Sequence, residues 1–134
     1  MEIIHRLSSK EKRRIIELIK NGVNHPEDIA RKMNITRQGV DKHLRELYMY
    51  GVVEKYWVVG RKPRMVYNLT SLGMWMYDAM LSLEKDFIRR ANGEFKDILR
   101  NLDRDFLSGN LSKEDYLARI NEEKKRFSWI STKT

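Results

Sequence analysis

Thr36-Arg37-Gln38-Gly39-Val40-Asp41-Lys42-His43-Leu44-Arg45-Glu46-Leu47-Tyr48-Met49-Tyr50-Gly51 spells one amphipathic helix of about four turns. Val40, Leu44 and Leu47 recur at i, i+4 and i+7, so they share one face and turn it toward a core. Arg37, Gln38, Asp41, Lys42 and Arg45 share another, and there they offer forked and extended hydrogen-bonding groups to whatever approaches. Thr36 suits the N-cap and Gly51 the C′ position, so both ends are marked.

Reading outward toward the N-terminus, Pro26 fits the first turn of a short helix through Met33, with Ile29, Ala30 and Met33 facing inward. Asn34-Ile35-Thr36 is then a tight turn, with Ile35 expected to plug the corner. Farther upstream, Ser8-Ser9-Lys10-Glu11 has capping-box spacing, and Ile15, Ile16 and Ile19 follow on one face before Gly22. This gives a helix from about Ser9 to Asn21. Its outer face carries Lys10, Lys12, Arg13, Arg14 and Lys20, and a solvated face explains that run at least as well as phosphate contact does. Residues 1–7 are too short to classify. A supporting helix, a turn and a projecting helix together make a helix-turn-helix.

Reading outward toward the C-terminus, Val52-Val53-Glu54-Lys55-Tyr56-Trp57-Val58-Val59 and Met65-Val66-Tyr67-Asn68-Leu69 are rich in β-branched and aromatic residues, so each reads as a strand. Gly60-Arg61-Lys62-Pro63-Arg64 joins them as a turn with three positive charges. A lone hairpin is marginal and must lean on the helices, which makes it the wing of a winged helix. Arg61, Lys62 and Arg64 at its tip suit phosphate or minor-groove contact, because guanidinium groups meet phosphate oxygens bidentately.

Charge placement supports the same partner. Residues 1–70 hold 15 Lys/Arg against 8 Asp/Glu, a balance of +7, whereas residues 71–134 hold 12 against 11, a balance of +1, so the basic excess of the 134-residue chain belongs to the first half. A positive lobe concentrates polyanions, and nucleic acid is the commonest of them. With no Cys, disulfide scaffolds and thiolate metal sites are excluded, and His5, His25 and His43 have no helical ligand spacing. No metal or cofactor is expected. Nucleophile–base pairs, clustered carboxylates and Gly-rich phosphate loops are absent from the sequence, which speaks against an enzyme. Neither a secretion signal nor an apolar run of membrane-spanning length appears, so a cytoplasmic protein without membrane contact is expected.

The run Ile29-Ala30, then Met33-Asn34-Ile35-Thr36 through Leu47, then Gly51-Val52-Val53-Glu54, resembles the helix-turn-helix of ArsR-type winged-helix transcription regulators. Tyr67-Asn68-Leu69-Thr70-Ser71-Leu72-Gly73 is similar to the exit from the wing in ArsR-, MarR- and PadR-like proteins. The resemblance covers residues 8–75. It implies double-stranded DNA binding by a homodimer, with Arg37, Gln38, Asp41 and Lys42 where side chains meet base edges and His43 as a packing residue. Metal-sensing members carry Cys-x-Cys or His/Asp clusters; the absence of Cys leaves the effector unknown.

Beyond the wing, Thr70 or Ser71 can cap a further helix whose apolar positions include Leu72, Met76, Ala79, Leu83, Phe87, Ala91, Phe95, Ile98, Leu102 and Phe106. Spacings of three and four persist across Gly93, which argues for one long helix. Ser108-Gly109-Asn110 breaks it. Ser112 caps a returning helix striped by Tyr116, Leu117, Ile120 and Phe127, and the tail to Thr134 is expected to fray, with Trp129 and Ile130 able to dock. One short partner helix cannot cover so long a stripe, so a second copy is the expected cover, through Leu72, Met76, Leu83, Phe87, Phe95, Ile98, Leu102 and Phe106. The alternative folds the helix back onto its own domain. Apolar residues at 74–80 read as core before ligand pocket.

The expected architecture is therefore mainly α with a small β-hairpin: a winged helix-turn-helix over 1–71 and a helical, coiled-coil-like dimerisation hairpin over 72–134. The expected activity is sequence-specific transcription regulation, with the helix from Thr36 in the major groove. Arg37 and Lys42 would donate to guanine, Gln38 would pair with adenine, and Asp41 would accept from cytosine or orient an arginine. A DNA-coating architectural protein and a protein-interaction adaptor are the alternatives.

Overall fold

The computed structural model describes residues 1–133. In chain order it holds α1 (Glu2–Leu7), α2 (Lys10–Lys20), α3 (Pro26–Met33), α4 (Arg37–Met49), β1 (Val53–Val58), β2 (Arg64–Leu69), α5 (Ser71–Leu107), α6 (Lys113–Arg126) and α7 (Trp129–Lys133). Two compact units divide it, Met1–Met80 and Leu81–Thr134. The first contains the helix-turn-helix, the hairpin and the opening turns of α5.

The helices of the first unit after α1 each start where a side chain satisfies an orphan N–H. Ser9 caps α2 by accepting from the Lys12 amide at 3.2 Å, and Thr36 caps α4 by accepting from the Gly39 amide at 3.1 Å. Ser9, not a Ser8–Glu11 box, thus opens α2; Ser8 instead ends α1, a helix that the sequence left unclassified. His25 caps α3 through Nδ1, which accepts from the Glu27 amide at 3.2 Å. Asn34, in the left-handed region at φ 55°, closes α3, and the Ile35 amide then donates to the Ala30 carbonyl. That geometry lifts Ile35 to 37% exposed, so it does not plug the corner as expected.

Ile15, Ile16, Ile29, Val40, Leu44, Leu47, Val52 and Val53 form the core, each under 2% exposed. Leu7, Ile19, Ala30 and Met76 close its margins. The hairpin pairs antiparallel from Val53↔Leu69 to Val58↔Arg64. Arg64 therefore belongs to β2 and not to the tip, and residues 59–63 make the connection. The hairpin is braced at its base: the Tyr67 amide donates to the Asn24 carbonyl at 2.9 Å, and Thr70 Oγ1 donates to the Gly51 carbonyl at 2.6 Å. Thr70 Oγ1 also accepts from the Gly73 amide at 3.0 Å, which starts α5.

α5 runs unbroken through Gly93. Gly109, at φ 81°, turns the chain, and Ser112 caps α6 by accepting from the Asp115 amide at 3.1 Å. In the second unit Phe106 stacks on Tyr116, Phe95 meets Phe127 at a tilt and Phe87 stacks on Trp129, a ladder in which one number falls as the other rises. α6 is thus the antiparallel return of α5. Trp129 docks on Phe87, as the sequence allowed, while the tail that was expected to fray forms the helical turn α7; Thr134 lies outside the described residues. No helix among the described residues is long and apolar enough to cross a membrane.

Candidate nucleic-acid interface

Burial of Val40, Leu44 and Leu47 fixes the rotation of α4, and that rotation turns Arg37, Gln38, Lys42 and Arg45 to the exposed side, with Asp41 half-buried. Thr36 remains exposed while its hydroxyl holds the first turn. The wing carries Arg61, Lys62 and Arg64, all exposed.

Arg37 is not a loose cation. Its Nε donates to Asp41 Oδ1 at 3.1 Å, one turn along α4, and its Nη1 donates to Glu27 Oε1 at 3.3 Å, at the start of α3. The next acid, Asp28, accepts from Arg31 at 2.6 Å and lies 3.7 Å from Arg64 Nη1 on the wing. Two consecutive carboxylates of α3 therefore gather one arginine from α4 and one from the start of β2, bringing the helix and the outer end of the wing to one side of the unit. Both acids occupy the positive end of α3, where negative charge is favoured. By contrast, Lys42, Arg45, Arg61 and Lys62 make no ion pair among the described residues.

Tyr67, on β2, lies within the field of the same group. Its hydroxyl pKa is raised, first by burial and then by Asp41, against the opposing pull of Arg37 and Arg45. Lys55 reaches over the Tyr48 ring at 4.5 Å, tying the first strand to the end of α4. Trp57, 63% exposed, and Val59, 90% exposed, add apolar surface near the tip that sequence reasoning assigned no role.

The basic face of α2 is only partly available. Lys12 is 5% exposed and its Nζ lies 3.4 Å from Glu46 Oε2 of α4, so it braces two helices and is not a phosphate contact. Lys20 sits over the Tyr77 ring and Arg14 bonds Glu17. His43 packs beside the Lys12–Glu46 pair; burial, then Lys12, pushes its pKa down, and its buried Nδ1 has no hydrogen-bond partner. Sequence reading missed Glu27 altogether. An exposed acid in a first helical turn looks like an ordinary dipole partner, and only the fold shows it reaching ten residues onward to Arg37.

Of the residues expected at a dimer interface, Leu72, Leu83 and Phe87 are more than half exposed. Phe95, Ile98 and Phe106 are half-buried, while Met76 and Leu102 are buried within the chain.

Solved structures share this arrangement. A transcriptional regulator of the MarR family from Enterococcus faecalis V583, described as putative in its name, superposes with a TM-score of 0.61 at 24% identity, over 69% of this chain and 86% of that one. A transcriptional regulator homologue from Pyrococcus horikoshii OT3 gives 0.59 at 27% identity, over 67% and 93%. Diamide-treated YodB from B. subtilis gives 0.55 at 19% identity, over 64% and 89%. No curated protein sequence matches the chain. The HxlR-like helix-turn-helix family model matches residues 6–94. This corrects the resemblance to ArsR-type regulators: the Ile-Ala pair, the His-Leu-x-x-Leu segment and the Gly-aliphatic entry to the wing are core and cap positions that a winged helix needs in general, so they report the fold and not the family. The chain belongs to the HxlR-like helix-turn-helix family of DNA-binding transcription regulators, a family of regulators and not of enzymes.

Proposed function

We propose that the protein acts in the cytoplasm as a homodimer that binds double-stranded DNA by sequence, with α4 in the major groove and the wing on the backbone or minor groove. The observation that carries this reading is the gathering of Arg37 and Arg64 by Glu27 and Asp28, beside the exposed Gln38, Lys42 and Arg45. Arg61, Lys62 and Arg64 would contact phosphates and set orientation, and α4 would read base edges. Lys42 and the remaining N–H groups of Arg37 suit guanine O6 and N7, and Gln38 suits adenine. Asp41, bonded to Arg37, is better suited to orient that arginine than to accept from cytosine.

Dimerisation is supported by the apolar side chains of α5 that the chain leaves exposed, Leu72, Leu83 and Phe87, which favour a second copy as cover. Two α4 helices related by a two-fold axis would meet half-sites about one duplex turn apart, giving a pseudo-palindromic site. Selection of bound duplexes from a random pool, followed by gel shifts across salt, tests the proposal. The wild type should enrich one motif, and Arg37→Ala with Lys42→Ala should lose preference for it by about 1–3 kcal/mol per lost base contact. Uniform coating of all duplexes, or preference unchanged in the double variant, would overturn it.

A further inference from the structure

We infer that Glu27 is a positioning residue that sets the selectivity of the interface by acting through Arg37. The inference rests on the DNA-binding reading above and concerns how that site discriminates.

A guanidinium has five N–H donors in a fixed plane. In Arg37 the Nε edge is engaged by Asp41 and Nη1 by Glu27, from two different helices, and Nη2 has no protein partner among the described residues. Two anchors at separate corners fix both the position and the plane of the group, which one anchor would leave free to swing. The donors on Nη2 are then presented in a set direction from the first turn of α4.

The same two carboxylates offset the charge of Arg37. Non-specific attachment to a duplex scales with the number of phosphates neutralised, whereas base reading depends on donor geometry. A caged arginine therefore adds little to indiscriminate attraction and keeps its directed donors. Lys42, Arg45, Arg61 and Lys62, without acid partners among the described residues, supply that attraction instead. Asp41 alone could orient Arg37 by the ordinary i, i+4 contact within a helix. Glu27 is different because it comes from α3, and it makes the orientation of Arg37 depend on the packing of α3 against α4. It also stands where loose phosphate contact with Arg37 would meet negative charge. Its side chain is 67% exposed, so its role in holding the fold itself is small.

The test compares the full-length wild type, Glu27→Gln, Arg37→Ala and the double variant on two duplexes: one of random sequence and the one that the wild type enriches from a random pool. Glu27→Gln should bind random duplex several-fold more tightly, with a salt slope steeper by about one. Its ratio of selected to random affinity should fall several-fold, with a melting temperature lowered by no more than a few degrees, as loss of one charge at a helix N-terminus allows. In the Arg37→Ala background, Glu27→Gln should leave that ratio where it was. A selective wild type whose ratio is the same in Glu27→Gln overturns the inference alone, as does an equal fall in both backgrounds, which would mean a general charge effect. A wild type that prefers no sequence overturns the functional reading and this inference with it.

Discussion

The two compact units solve the problem of apolar burial differently. Through Met80 the chain has nine side chains more bulky than alanine at under 2% exposure, drawn from α2, α3, α4 and the entry to β1. From Leu81 onward only Leu102 is buried among the described residues, and α6 has no buried residue at all. The first unit closes around its own core. The second is held as a hairpin by three aromatic pairs, each worth roughly 0.5–1.5 kcal/mol beyond its burial, and it leaves Leu83 70% exposed. On the proposed function this division is useful, because a reading unit would have to hold Arg37 and the wing in fixed geometry on its own, while the exposed apolar side chains of α5 would await a second copy.

The comparison breaks most sharply at Leu83. If a second copy covers α5, Leu83→Glu appears twice in a symmetric interface and should weaken association by about 3–6 kcal/mol, from about 1.5–3 kcal/mol for each side chain no longer buried. Sedimentation should show monomers at concentrations where the wild type is dimeric, with helical content unchanged. A variant that stays dimeric would place the interface elsewhere.

The next effect belongs to the reading unit. A Cβ at Gly73 would run into the carbonyl oxygen of Val52, and that carbonyl is already fixed by accepting from the Thr70 amide at 3.1 Å. Neither partner is a flexible side chain that can swing aside. Gly73→Ala should therefore cost about 3 kcal/mol, the upper end for overpacking, read as a lower urea midpoint at constant m. A loss under half of that would mean that the junction of wing and α5 is looser than its hydrogen bonds suggest.

What the sequence made legible follows the same division. Periodicity and caps located α2 through α5 and the return of α6, because Val40, Leu44 and Leu47 obey one helical phase and Thr36 and Ser112 are chemically suited to their caps. Short elements escaped: α1 buries only Leu7 and leaves Ile3 and Ile4 at least half exposed, so no pattern announces it. Charged residues were read by helix face, and their tertiary partners cannot be inferred from spacing. Lys12 therefore looked like surface until Glu46 was found beside it, and Glu27 carried no signal that it reaches Arg37. The residues proposed for the interface could be named one by one from the sequence; the ion pairs that join them depend on how α3 packs on α4.

The smallest expected effect has an informative sign. Gly93 lies inside α5 with nothing beyond its chain neighbours and the local helix backbone within 4 Å of where a side chain would begin, so no packing contact in one protomer requires glycine there. Glycine inside a helix is less favourable than alanine by about 0.8–1.0 kcal/mol, since the unfolded chain has more freedom to lose. Gly93→Ala should thus raise the melting temperature slightly, whether or not the protein is dimeric, provided that the covering copy does not approach at this point. A drop in melting temperature would carry more information than the rise, because overpacking against a second backbone is the remaining way for one methyl group at an open helical position to destabilise. That result would mark Gly93 as a close-approach point between two copies of α5, and would move the interface from Leu83 toward the middle of the helix.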